Sequence, residues 1–78
     1  MDEEIVKSVK EVITEKYTSV NKFLDVKTKE FSGMLPLSRP YLYKLINHEV
    51  DNPGIKSLNS LADMVGVERT NVYKEYSE

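Results

Sequence analysis

Apolar residues recur along the chain at helical spacing, and no stretch reads as a strand. Over residues 3–17, Ile5, Val9, Val12 and Ile13 share one face with Lys16 and Tyr17, which predicts a first helix despite the β-branched content. Asp2, Glu3 and Glu4 suit its N-terminus and Lys16 its C-terminus. Those acids read either as a partner surface or as dipole complementation on a solvated helix. Thr18 or Ser19 then caps a second helix, in which Val20, Phe23, Leu24, Lys27, Phe31 and Met34 keep the spacing. That helix either runs to about Gly33 or stops near Thr28 and restarts, since Gly33 and Leu35-Pro36-Leu37 are the only firm breakers.

Ser38 to Asn47 carries the most informative pattern. Ser38 is a good N-cap and Pro40 sits in the first turn, where a missing N–H costs nothing, so the third helix is predicted to begin at Arg39. Leu42, Leu45 and Ile46 form one buried stripe, with Leu37 packing under the turn that leads in. The opposite side holds Arg39, Tyr41, Tyr43, Lys44 and Asn47, with no carboxylate among them, and suits a polyanion. Residues 48–54 form a polar loop closed by Asn52-Pro53-Gly54. A fourth helix with Ile55, Leu58, Leu61, Ala62 and Val65 on one face ends at Gly66. A last helix from about Glu68 to Tyr76 uses Val72, with Tyr73 or Tyr76, as its apolar contacts. Five helices with short connections predict an all-α fold in a single domain over residues 1–78, the second and third helices forming a helix, tight turn, helix unit.

Composition narrows the function classes. With 78 residues there is room for one small core. The lack of cysteine excludes disulfides and thiolate metal sites and fits a reducing compartment. No apolar run approaches the roughly 20 residues of a membrane span, and Met-Asp-Glu-Glu is the opposite of a basic signal-peptide start, so a cytoplasmic location is expected, without a membrane partner. His48 is the only histidine and has no second ligand type beside it; it reads as a loop residue facing phosphate or solvent. The carboxylates form no pair in an apolar cleft, and there is no Gly-rich phosphate loop or nucleophile motif. No enzyme, cofactor, metal or small-molecule substrate is therefore expected.

The formal net charge of −2 and pI near 5.4 weigh mildly against nucleic acid, but the charges are unevenly distributed. Lys16 to Lys44 holds six basic residues against two acids, whereas the remainder holds five against eleven. Phe31 to His48 contains no acid at all, and this is the segment with the third helix.

The chain from about Lys7 to Tyr73 resembles the Cro/CI-type (XRE, lambda-repressor-like) helix-turn-helix family, and is similar to the N-terminal domains of temperate-phage CI repressors. The likeness is carried by Leu37-Ser38-Arg39-Pro40-Tyr41-Leu42-Tyr43-Lys44-Leu45-Ile46-Asn47, by Asn52-Pro53-Gly54-Ile55, and by Leu58-x-x-Leu61-Ala62-x-x-Val65-Gly66-Val67. The last of these matches the family's Leu-x-x-Ile-Ala-x-x-Leu-Gly-Val run almost position for position. The chain departs from the family in having Leu35 or Pro36 where a glycine usually precedes the turn, and Asn47-His48 where Asn-Gly usually follows the recognition helix. The span from Ser19 to Leu37 is also longer, like the extended second helix of some CI repressors from phages of Gram-positive hosts.

The resemblance implies a compact five-helix DNA-binding domain whose helix over residues 39–47 enters the major groove. Base contacts then fall to Arg39, Pro40 and Lys44, with Tyr43 beside them; Arg39 is suited to guanine O6 and N7, and Pro40 can only touch a thymine methyl. Ser19, Lys22, Ser38, Tyr41 and Asn47, with Thr18, are the phosphate candidates. The expected function is a sequence-specific transcriptional regulator that occupies a double-stranded operator as a repressor and excludes polymerase. The expected homodimer sits on a pseudo-palindrome, with contacts from Val72, Tyr73 and Tyr76 in the last helix, because the chain ends there without a separate oligomerisation domain; a monomer, or a piece of a longer repressor, is the other option. The competing expectation, favoured by the acidic balance, is a protein-binding module, antirepressor or antitoxin-like, that keeps the same fold.

Overall fold

The computed structural model describes residues 7–77, which form five helices and no strand. The first, α1, spans Val9–Tyr17 rather than residues 3–17. Ser8 Oγ accepts from the Glu11 N–H while the Glu11 carboxylate accepts from the Ser8 N–H, a reciprocal capping box that sets the helix start. Ile5 and the acidic start at Asp2, Glu3 and Glu4 lie outside the described residues. At its other end Thr18 takes a positive φ of 79° and donates its N–H to the Thr14 carbonyl. Lys16 Nζ reaches across to the Val65 carbonyl at 3.0 Å, joining the ends of the first and fourth helices.

Ser19, not Thr18, caps α2, which spans Val20–Glu30 and buries Val20, Phe23 and Leu24. Its end is wound down by two successive left-handed residues, Ser32 at φ 53° and Gly33 at φ 81°, with the Gly33 N–H returned to the Thr28 carbonyl. Because the helix stops there, Phe31 and Met34 fall out of phase with the buried stripe and stand 39% and 80% exposed, contrary to the predicted spacing. The predicted tight turn is replaced by a longer connection over residues 31–38, in which Leu35 and Leu37 pack against the core.

The third helix, α3, spans Arg39–Ile46 with Ser38 as N-cap and Pro40 in the first turn, and Leu42, Leu45 and Ile46 are completely buried. The fourth, α4, spans Ile55–Val65 and ends at Gly66 in the left-handed conformation, φ 88°. Leu58, Leu61, Ala62 and Val65 are buried as predicted and Met64 joins them, but Ile55 is 58% exposed. Ile55 has the right phase and the wrong level: it lies in the first turn, beyond the reach of the packed layer. The fifth, α5, spans Arg69–Tyr76 and buries Val72, which is therefore spent inside the molecule and not on offer to a dimer partner.

The most extensive packing between helices is α1 with α2, α1 with α4, and α4 with α5. Every buried side chain among the described residues is apolar. No helix of the described residues is long and apolar enough to cross a membrane.

Candidate nucleic-acid interface

With Leu42, Leu45 and Ile46 turned inward, the outward stripe of α3 runs through Pro40, Tyr43, Lys44 and Asn47, at spacings of three, four and seven from Pro40. Tyr43 is 47% exposed and Lys44 is exposed, with no ion pair among the described residues. Asn47 is the C-cap residue and donates its Nδ2 to the Tyr43 carbonyl at 3.0 Å, so one of its donors is already used by the helix end. Pro40 stands exposed in the first turn.

The structure separates the remaining candidates from this stripe. Arg39 lies to one side, where Nη2 donates to Asp25 Oδ1 at 2.9 Å and Nη1 to Thr28 Oγ1 at 3.3 Å, both on α2. Its guanidinium is thus not an unengaged base reader. Tyr41 is half-buried on the other side and directs its hydroxyl at Ser57 Oγ on α4, 3.4 Å away, instead of outward toward phosphate. Ser38 Oγ is the acceptor for the Tyr41 N–H and Ser19 Oγ for the Lys22 N–H, so both hydroxyls act as caps while keeping their own protons to donate. Lys22 is exposed one turn into α2. Thr18 belongs to the end of α1 and does not cap α2.

His48 is exposed in the loop after α3, as the sequence predicts, and it also sits at φ 61° with its ring stacked on Tyr76, centroids 4.2 Å apart and planes within 4°. Its Nε2 lies 2.6 Å from Glu75 Oε2, and Glu75 Oε1 accepts the Val9 N–H at 2.8 Å. This carboxylate joins the start of α1, the loop after α3 and the end of α5. Pairs 27 and 66 residues apart leave no trace in a sequence pattern, which is why the cluster was missed. Burial first, and then the Glu75 charge, hold the neighbouring Tyr76 phenol well above its ordinary pKa. A cleft of about 620 Å³ opens beside it, with Ile55 and Tyr73 on its wall, away from the outward stripe of α3.

No family model, curated protein or solved structure matches the chain.

Proposed function

We propose that the protein is a sequence-specific, double-stranded DNA-binding regulator, with α2, the connection over residues 31–38 and α3 serving as an extended helix-turn-helix of the Cro/CI type. One observation carries the reading: the face of α3 opposite its buried stripe is free of carboxylates and presents Pro40, Tyr43, Lys44 and Asn47 together. A helix with that face fits a major groove, where Lys44 meets base edges or phosphate and Pro40 and Tyr43 meet methyl groups and sugar. Lys22 and the Ser19 end of α2 supply backbone contacts that set the register.

The test is a salt titration of binding to random duplex DNA. The expected result is an affinity that falls steeply with salt, and a Lys44→Ala, Arg39→Ala double variant that stays folded and loses specific binding. A folded protein with no detectable binding at low salt overturns the reading.

A second reading, a protein-binding module of antirepressor or antitoxin type, is favoured by Phe31 and Met34, apolar side chains left outside the core in the connection between α2 and α3. It predicts that Met34→Ser weakens capture of a partner protein while leaving DNA binding absent in both forms.

A further inference from the structure

We infer that Asp25 is a specificity-determining residue that positions the Arg39 guanidinium for one guanine, an assignment that rests on the DNA-binding reading above. Arg39 donates to Asp25 and to Thr28, which stand one turn apart on α2. Thr28 commits its only hydroxyl proton to the Leu24 carbonyl at 2.6 Å, so toward Arg39 its oxygen can only accept. The guanidinium is thereby tied to α2 at two points rather than swinging from α3 alone.

A long arginine side chain that is free in solution loses many rotamers on docking; one whose fork is already held loses fewer. The N–H groups left over by Asp25 and Thr28 remain for the O6 and N7 acceptors of guanine. Asp25 and Arg39 are 60% and 42% exposed, and a pair that open to water adds little to the stability of the fold. Its carboxylate has a second effect. Placed beside Arg39, it penalises approach of the guanidinium site to phosphate alone, which weakens binding to every sequence lacking the guanine. Removing Asp25 therefore exchanges specificity for affinity.

The experiment selects bound duplexes from a random pool with the wild type, Asp25→Ala, Asp25→Asn and Arg39→Ala. Each protein is then measured against the selected duplex and against one altered at the base whose preference Arg39→Ala abolishes. The wild type is expected to favour guanine there by about tenfold, and Asp25→Ala to reduce this to about twofold. Asp25→Ala also binds random duplex more tightly than wild type does, and Asp25→Asn, whose amide oxygen still accepts from the guanidinium, keeps part of the preference. An Asp25→Ala protein with undiminished guanine preference overturns the assignment, as does a wild type that binds DNA and selects no Arg39-dependent base. A folded wild type that binds no duplex at low salt fails the DNA reading itself and removes this assignment with it. Thermal unfolding of each variant separates loss of preference from loss of fold.

Discussion

The Tyr76 hydroxyl donates to the Leu45 carbonyl at 2.7 Å, so the last helix is bonded to the backbone of the helix proposed to read DNA. Tyr76→Phe removes that bond while the Leu45 carbonyl keeps the His48 N–H at 3.1 Å, so the loss is expected to cost about 0.5 to 1.5 kcal/mol in urea unfolding at neutral pH. The same variant is expected to loosen α3, visible as faster amide exchange in α3 than in α4.

The same tyrosine sets an alkaline limit. Its folded pKa is raised above the ordinary 10.0 by burial and then by Glu75, so above that value the folded protein keeps a proton that the unfolded chain gives up. The stabilisation is complete below pH 10.0 and is lost progressively as pH rises toward the folded pKa. The urea midpoint of wild type is expected to fall steeply over this alkaline range, and that of Tyr76→Phe to fall less. Equal slopes would show that the phenol does not control the transition.

Neighbouring positions on α3 are expected to divide stability from binding. Leu45 is fully buried, and Leu45→Ala should cost about 2 to 5 kcal/mol. Lys44→Ala should change stability by no more than about 0.5 kcal/mol. It should also weaken binding to all duplexes and reduce the salt slope by about one if Lys44 meets phosphate. Paired urea curves and salt titrations on the two variants check both halves of the contrast.

Two glycines flanking α4 should respond in opposite directions. Gly66 holds φ 88°, and a Cβ there would lie 3.2 Å from Lys16 Nζ. The flexible ammonium can move, so the cost of Gly66→Ala comes chiefly from the left-handed backbone and is expected at roughly 1 to 2 kcal/mol. Gly54 is an extended N-cap without a side-chain cap bond and has nothing within 4 Å of a built Cβ. Gly54→Ser supplies the missing acceptor and should stabilise by about 0.5 kcal/mol, read as a higher midpoint in thermal unfolding.

Local chemistry was legible where cap, stripe and breaker fall within one helix: Ser38, Pro40, Leu42, Leu45 and Ile46 place α3, and Gly66 ends α4. The Ser8-x-x-Glu11 box was equally local, but a helical stripe running through it from Ile5 obscured the start signal. Ile55 shows that periodicity gives the side of a helix and not the depth at which the core ends. Of the candidate site, the outward positions of Tyr43 and Lys44 followed from the spacing, whereas Pro40 entered only through the family resemblance. The engagement of Arg39 did not, because Asp25 lies 14 residues earlier, across a connection whose path no local rule prescribes. The acid-free run from Phe31 to His48 was real along the chain and misleading in space, since α2 brings a carboxylate to the first residue of α3.

The connection over residues 31–38 makes the proposed reading unit a poor candidate for transplantation. In a compact helix-turn-helix the first helix and a short turn aim the second. Here α2 and α3 are not among the most extensively packed helix pairs, and the backbone of α3 is held from the far end of the sequence by Tyr76. Grafted onto another scaffold, residues 19–47 would carry the vocabulary of the helix without its aim. The module that can be moved intact is the whole described chain, and tests of the proposed DNA reading are best made one side chain at a time on α3.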